Sequence, residues 1–387
     1  MDKNVFFEKC EQISNNPLDR INNRVKNLIN SGNFQIESHC HIFNKDYVPI
    51  NYLELRMNSI PFSILNWLRT KFNWFNRLFQ KDIITGIDDF IRNFLSNDMK
   101  EVLERLMSYF PDNFIFTPLT MDLAYGWDKL TSTKDFKAQL SEMRQLIKQD
   151  YPILPFMAID PRNPELYSQF VDAFTGENSF FGVKVYPALG YLPSDPVLMD
   201  IYKVCEEKNI PVTTHCGGTI IRSMQGEIVL NGYILENGHL KEYSKTIENK
   251  SVFISEHDTN FLNDPDKWEP VIFKYPGLRL NIGHYGGANT WKKIDSRLDT
   301  ITRLMQKGAN VYADFSYDLE SKKALKNFVN KMKDQSIDNS RSLFGTDFYM
   351  VTPLGDFHNI LKKWKKYVPE SIDAIMKKDN PYRFFFS

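Results

Sequence analysis

The chain has 387 residues, of which 42% are hydrophobic and 25% charged, and its 48 basic side chains are balanced by 48 acidic ones. This composition is typical of a globular protein and excludes a largely disordered one. Zero net charge argues against a protein whose main task is to neutralise phosphates, so we expect no nucleic-acid partner. The length allows two or three domains, or one α/β barrel of roughly 250 residues enlarged by insertions.

Eight short β-branched or aromatic runs recur along the chain, most of them separated by helix-like polar segments. They span residues 34–43, 114–121, 153–159, 181–186, 211–216, 278–285, 311–317 and 343–348. Clear amphipathic helices are predicted at 135–149, 196–208, 294–307 and 322–333. Repeated strand and helix predict an α/β protein with a parallel sheet, and eight such units predict a closed (β/α)8 TIM barrel. An open doubly wound sheet is the alternative, but no glycine-rich phosphate turn follows the first run.

Two gaps between predicted strands, 44–111 and 217–276, are too long for simple crossovers. Because long βα insertions build the wall or lid of a barrel's active site, we predict long helical insertions after strands one and five. The first should form a lid and the second should lie at the barrel mouth, within a single domain of residues 1–387. The aromatic and basic stretch at 60–82, within the first insertion, suits a lid helix or a homodimer interface better than a membrane surface.

The cysteines and the N-terminus bear on the compartment. Four cysteines are too few for a disulfide scaffold, and Cys40 and Cys216 stand beside histidines. The N-terminal segment MDKNVFFEKCEQ carries charges where a signal peptide needs an unbroken apolar region. No run reaches the ~18 apolar residues that span a bilayer. We therefore predict a cytoplasmic protein with no membrane partner.

Candidate metal ligands stand at the ends of several predicted strands. His39 and His41 end strand one, and their spacing of two puts both side chains on the same face. His215, His284 and Asp347 end strands five, six and eight, and all strand ends of a barrel converge on one face. Imidazoles with a carboxylate suit Zn²⁺, with Mn²⁺, Fe²⁺ and Co²⁺ as competitors. We predict structural roles for the remaining histidines, His239, His358 and His257. His257 could in addition touch substrate.

Two basic residues of the sequence, Lys184 and Arg222, each have more than one possible role. Lys184 lies on strand four, where an inward-pointing lysine is costly unless it is paired or modified. It could bridge two metals after carboxylation, bind a substrate carboxylate, or pair with a buried acid such as Asp314. We favour the last two interpretations. Neither of them requires a second metal, so we predict a single ion. Arg222, beyond His215, is either a clamp for a substrate carboxylate or a surface arginine.

In their order and spacing these motifs resemble the amidohydrolase superfamily, and within it the amidohydrolase 2 group. The resemblance is carried by HCHIF at 39–43, GVKVYP at 182–187, THC at 214–216, GHYGG at 283–287, FGTD at 344–347 and the closing DNPYRFF at 379–385. It implies a metal-dependent hydrolase or non-oxidative decarboxylase on a (β/α)8 barrel. The chain departs from many relatives at Glu37, where an aspartate is common, and at 348–350, where a proline is common.

The resemblance also implies a role for each strand-end residue. His39, His41 and His215 would bind the metal, and Asp347 would both bind it and accept a proton from the attacking water. His284 would transfer a proton or polarise the substrate in a one-metal site, or bind a second ion in a two-metal site.

Two enzyme functions share this ligand set. We predict a hydrolase that cleaves an amide, ester or lactone bond of a small carbonyl or carboxylate substrate through a metal-activated water. The alternative is a decarboxylase of an aromatic or muconate-like acid. A scaffolding protein would require the ligand set to be vestigial. A metal-dependent nuclease is disfavoured by the neutral charge and by Lys184, where such enzymes tend to use a carboxylate.

Overall fold

The computed structural model describes residues 1–48, 81–125, 132–217, 226–249, 256–287 and 296–387. All eight predicted strands are present within these ranges, together with an additional hairpin. The strands are β1 Gln35–Cys40, β2 Phe114–Pro118, β3 Phe156–Ile159, β4 Gly182–Val185, β5 Val212–Thr214, β6 Gly226–Glu236, β7 His239–Asn249, β8 Leu280–Ile282, β9 Val311–Phe315 and β10 Ser342–Phe344.

The parallel strands follow one another around a barrel. Regular ladders join β1 to β2, and join β3, β4, β5, β8, β9 and β10 in that order. Parallel bridges between Phe116 and Ile153 and between Leu119 and Phe156 connect β2 to β3. A bridge between Cys40 and Phe348 connects the end of β1 to the segment after β10. The (β/α)8 fold is thereby confirmed.

Helices follow most of the strands, and the four helices predicted from the sequence are among them. They are α1 Lys3–Cys10, α2 Asn23–Asn30, α3 Lys81–Phe94, α4 Met99–Met107, α5 Phe136–Lys148, α6 Leu166–Phe174, α7 Pro196–Glu207, α8 Glu256–Leu262, α9 Glu269–Lys274, α10 Ser296–Lys307, α11 Lys322–Lys333, α12 Phe357–Tyr367, α13 Glu370–Ala374 and α14 Asn380–Phe386. Side-chain caps start several of them: Asp135 accepts from the Ala138 amide and Ser321 from the Ala324 amide.

An apolar cluster closes the N-terminal end of the barrel. Phe384 and Phe385 of α14 are buried against residues at the starts of the strands, among them Phe156 and Phe181. The Phe385 ring centroid lies 6.2 Å from that of Phe156 and 5.8 Å from that of Phe181. Because this end is filled with rings, the opposite end, where the strands finish, is the one available for a site.

The first insertion is described only at its two ends. Residues 49–80 lie outside the described residues, and with them nearly all of the aromatic and basic stretch at 60–82. The described remainder forms α3 and α4, whose inner faces join the main core. The lid, the homodimer interface and the single-domain organisation stay predictions. Within the described parts of the chain, none of the helices is both long and apolar enough to cross a bilayer.

The second insertion differs from the prediction of a helical segment. Between β5 and the helices α8 and α9 it contains the antiparallel hairpin β6–β7, in which Glu236 pairs with His239. The two turn residues, Asn237 and Gly238, both have positive φ, at 50° and 76°. Asn-Gly is the preferred pair for a two-residue hairpin turn, because both positions need left-handed backbone. The prediction of a helical insertion is therefore confirmed at α8 and α9, and it was wrong at residues 226–249, where it overlooked this turn signal.

Candidate metal centre

Backbone hydrogen bonds join the first strand of the barrel to the loop that follows the last strand. His39 lies on β1 and His41 directly follows it, and both side chains are buried. The Asp347 amide donates to the His39 carbonyl at 2.7 Å, and the His41 amide donates to the Phe348 carbonyl at 2.5 Å. These two hydrogen bonds hold the loop after β10 against β1, so residues some 300 positions apart in the sequence share one pocket.

Three predicted ligands form a compact group. One donor atom from each of His39, His41 and Asp347 lies within 4.8 Å of the others. Asp347 Oδ1 is 3.3 Å from His41 Nε2 and 3.9 Å from His39 Nε2. A tetrahedral zinc site with metal–ligand distances of ~2.1 Å separates its donors by about 3.4 Å. The spacing of this group therefore fits a divalent metal ion.

Hydrogen bonds on the far side of each ring leave the inward nitrogens free to bind a metal. His39 Nδ1 lies 2.9 Å from Asp314 Oδ2, and His41 Nδ1 lies 3.1 Å from the Leu119 carbonyl oxygen. A carbonyl and an ionised carboxylate only accept, so each Nδ1 carries the proton and each Nε2 keeps its lone pair. Burial lowers the pKa of His39 to about 3, which keeps this imidazole neutral.

The two buried aspartates at the site have different surroundings. Asp314 accepts from His39 and from Asn281 Nδ2 (2.7 Å) on Oδ2, and from the His284 amide (3.0 Å) and Ser316 Oγ on Oδ1. Its lone pairs are thus occupied, although its donor atoms also lie close to those of His39 and His284. Asp347 Oδ1 is buried and has no hydrogen bond of good geometry within the described ranges of the chain. Asp347 therefore fits the role of metal ligand, and Asp314 the role of its support.

Both aspartates are acidic despite their burial. Burial by itself raises the pKa of each carboxyl group, but the neighbouring imidazoles outweigh it. His39, through its attraction when protonated and through its hydrogen bond, holds the pKa of Asp314 well below its ordinary value. His41 and His284 lower the pKa of Asp347 to about 2. Ionised carboxylates at both positions supply the negative charge that a divalent cation needs.

The fourth predicted ligand, His215, is not part of this donor group and forms a second pair with His284. His284 Nε2 lies 3.1 Å from His215 Nδ1, and His284 Nδ1 lies 2.7 Å from Ser316 Oγ. Left-handed backbone at His284 (φ 57°) and Tyr285 (φ 48°) follows the end of β8. His215 Nε2 is buried and makes no hydrogen bond to any residue that the structure describes. Burial lowers the pKa of both imidazoles, that of His215 most strongly, so both are neutral.

Of the two predicted cations, the described residues include only Lys184. Its Nζ lies 3.4 Å from His39 Nε2, and the residue is 1% exposed. Burial lowers the pKa of its ammonium group to about 8, against the opposing attraction of Asp314 and Asp347. Arg222 and the side chain of His257 lie outside the described residues. His239, in the β6–β7 hairpin, and His358, on α12, are both exposed.

Three further residues border the site and were not predicted from the sequence. Asn281 on β8 and Ser316 after β9 both hydrogen-bond to Asp314, and the Tyr186 ring centroid lies 4.4 Å from that of His215. Ser316 was detectable in principle, since it stands two residues after Asp314 and the period of a strand puts both on one face. Asn281 and Tyr186 had no comparable local signal.

Comparisons with known proteins address the family. The sequence model of the family described as amidohydrolase matches residues 122–386, which is more than half of the chain. The pair His39 and His41 precedes this matched segment. No curated protein matches the chain.

Solved structures of similar fold include proteins with different named activities. A probable 2-pyrone-4,6-dicarboxylic acid hydrolase from Acinetobacter baumannii is 12% identical, with a TM-score of 0.52 over 91% of this chain and 98% of that one. A 2,6-dihydroxybenzoate decarboxylase from Rhizobium is 12% identical, with a TM-score of 0.53 over the same shares. A zinc-bound amidohydrolase from Burkholderia multivorans is 10% identical, with a TM-score of 0.50 over 91% and 99%.

At these identities the structural likeness shows a shared fold. The match of the family model to most of the barrel goes further and confirms the resemblance seen in the motifs. A divalent metal is supported by the donor group of His39, His41 and Asp347. The chain belongs to the amidohydrolase family, in its amidohydrolase 2 group.

Proposed function

We propose that the protein is a metal-dependent hydrolase that cleaves an amide, ester or lactone bond of a small molecule. The observation that carries this proposal is the buried donor group of His39, His41 and Asp347, in which Asp347 Oδ1 has no hydrogen-bond partner among the described residues and faces Nε2 of both histidines. A buried carboxylate oxygen without a partner is costly in a folded protein, and a metal ion held by this group would satisfy it.

The residues divide the chemistry between them. Nε2 of His39, His41 and His215 and a carboxylate oxygen of Asp347 would hold one divalent ion, for which Zn²⁺ is our first choice and Mn²⁺, Fe²⁺ and Co²⁺ are competitors. Such an ion would lower the pKa of a bound water from ~15.7 to ~7 and would polarise the substrate carbonyl. Asp347 would accept the proton of that water and return it to the leaving group.

Two assignments at the site are weaker. His284 is the second candidate for proton transfer, but its Nε2 contacts His215 Nδ1, so the geometry gives that role no direct support. Lys184 Nζ, next to His39 Nε2, is proposed to bind a substrate carboxylate or oxyanion. Carboxylation of Lys184 would instead add a second ion, which we disfavour. Arg222 stays a predicted carboxylate clamp.

The second candidate function is a non-oxidative decarboxylase of an aromatic or muconate-like acid. It uses the same first ligands, with the ion binding the substrate and Asp347 or His284 protonating the carbon that loses carbon dioxide. The named hydrolase and the named decarboxylase of similar fold have equal coverage and nearly equal TM-scores, so the fold does not choose between them.

The experiment that separates them measures two products from one panel. Metal-loaded protein is incubated with lactones, amides and esters and with hydroxylated aromatic acids, and acid release and carbon dioxide release are recorded in parallel. The proposed hydrolase releases acid only, and carbon dioxide from an aromatic acid without any bond hydrolysis would replace it with the decarboxylase. Asp347→Asn should abolish either activity, whereas His358→Gln, on the exposed face of α12, should not change it.

We also propose a cytoplasmic location and a homodimer. All four cysteines are free and buried, which fits a reducing compartment. Light scattering of the purified protein gives the oligomeric state, and fractionation of the source cells gives the location.

A further inference from the structure

We propose that Asp314 is a positioning residue that sets the tautomers of two metal-binding histidines, His39 directly and His215 through Ser316 and His284. This inference rests on the proposed metal site and deepens it, because it names what prepares the ligands to bind. Asp314 itself would not bind the metal, since each of its oxygens already accepts two hydrogen bonds.

The direct branch starts at Oδ2 of Asp314. His39 Nδ1 lies 2.9 Å from this oxygen, in a pair of side chains that are completely buried. Lys184 Nζ faces the opposite nitrogen of the same ring at 3.4 Å. An ammonium group can only donate, so it requires a lone pair on Nε2 and thus a proton on Nδ1. Both neighbours of His39 therefore select the same tautomer.

The indirect branch starts at Oδ1 and follows from counting hydrogens. Ser316 Oγ donates to Oδ1, and a hydroxyl has one hydrogen, so it must accept from His284 Nδ1 at 2.7 Å. His284 is then protonated on Nδ1, and its Nε2 must accept from His215 Nδ1 at 3.1 Å. His215 is left with a bare Nε2, which is the buried nitrogen without a hydrogen bond.

The carboxylate of Asp314 thus sets the tautomers of two histidines, His39 through Oδ2 and His215 through Oδ1. The remaining donors, Asn281 Nδ2 and the His284 amide, hold the carboxylate in place and complete its four hydrogen bonds. Supporting groups of this kind orient metal-binding histidines, and their loss typically costs 10–100-fold in metal affinity.

Asp314→Asn tests the inference sharply, because an amide accepts on only one of its two ends. Both oxygens have two donors, but the Ser316 hydroxyl on the Oδ1 side can turn round, whereas Lys184 fixes the tautomer of His39 on the Oδ2 side. The new NH₂ group should therefore face Ser316, at the expense of the hydrogen bond from the His284 amide. Ser316 would then donate to His284 Nδ1, and His284 Nε2 would donate to His215 Nδ1. The proton of His215 would move to Nε2 and block the nitrogen that the metal needs.

The experiment is ¹⁵N NMR of the imidazoles in metal-free protein, where seven histidines give a small set of signals that single His→Gln variants assign. In the wild type we expect Nδ1–H tautomers at His39, His284 and His215. Asp314→Asn should move the proton to Nε2 at His284 and His215. Ser316→Ala, a milder variant, should disturb these two signals and leave that of His39 unchanged. Asp334→Asn, on the exposed end of α11, is the matched control.

Metal affinity, measured by competition with a chelating dye for Zn²⁺, gives the second readout. We expect a loss of about 10–100-fold in Asp314→Asn and a smaller loss in Ser316→Ala. Wild-type tautomers at all three histidines in Asp314→Asn, or an Nε2–H proton on His215 in the wild type, would overturn the inference. If Asp314→Asn does not fold, the Ser316→Ala spectrum decides. The tautomers are measured without metal or substrate, so a failure of the proposed activity would leave this result standing.

Discussion

Replacement of Asp347 by asparagine should remove most of the stabilisation that a bound metal gives the folded protein. Asp347 supplies the charged member of the donor group, 3.3 Å from His41 Nε2 and 3.9 Å from His39 Nε2. Asparagine keeps the shape of the side chain but loses the charge. We expect its metal affinity to fall by about 100-fold or more, beyond the upper end of the losses typical of a supporting residue.

The expected size of the effect can be calculated. Metal at about 100 times its Kd stabilises the folded state by about 2.7 kcal/mol. The unfolding entropy of 387 residues is about 0.8 kcal/mol/K, so this stabilisation corresponds to a rise of about 3 °C in Tm. In Asp347→Asn the same metal concentration would equal the Kd, and the rise would shrink to about 0.5 °C.

The assay is thermal unfolding with and without Zn²⁺, Mn²⁺ or Co²⁺, at a concentration chosen from the wild-type titration. The exposed variant Asp334→Asn should show the wild-type shift. A full shift in Asp347→Asn would show that the metal binds elsewhere, and no shift in the wild type with any of the ions would refute the metal site itself.

Three further predictions concern positions outside the metal site. Burial, together with Asp160, raises the pKa of Asp122 to about 6, so the folded state binds the proton more tightly and loses about 2 kcal/mol as the pH rises from about 4 to 6. Asp122→Asn should remove this loss, measured by urea unfolding at both pH values. Phe385→Ala should cost about 3–5 kcal/mol of stability, because it leaves a cavity at the closed end of the barrel, with turnover per folded molecule unchanged. Gly238→Ala should cost about 1 kcal/mol, because its φ is +76°, and the loss is measured by chemical unfolding.

Each of these three has a clear contrary result. Equal pH dependence in Asp122→Asn and the wild type would mean that this carboxyl group is not desolvated in the folded protein. A change below 1 kcal/mol in Phe385→Ala would mean that α14 does not seal the barrel. A neutral or stabilising Gly238→Ala would contradict the left-handed turn of the β6–β7 hairpin.

Local sequence signals were sufficient wherever one physical rule acts on neighbouring residues. The strand period of two placed His39 and His41 on one face, and the structure has both buried within reach of Asp347. The Asn237-Gly238 turn was equally local, but it was missed because the apolar residues of β6 come in short consecutive runs and β7 is largely polar and exposed, so neither strand shows the regular apolar alternation of a half-buried strand. The information was present in the sequence, and the error was to give these two residues too little weight.

The sequence by itself determined the barrel, its strand order and the residue types at the strand ends, because hydrophobic periodicity and strand spacing are properties of short segments. Only the tertiary structure decided which aspartate keeps a free oxygen for a metal and which is saturated, since that depends on donors from β1, β8 and the loop after β9. The contact between His215 and His284 is of the same kind, joining residues 69 positions apart. Hydrogen bonds between distant segments leave no periodic trace in a sequence, and it is these bonds that decide what each buried group can do.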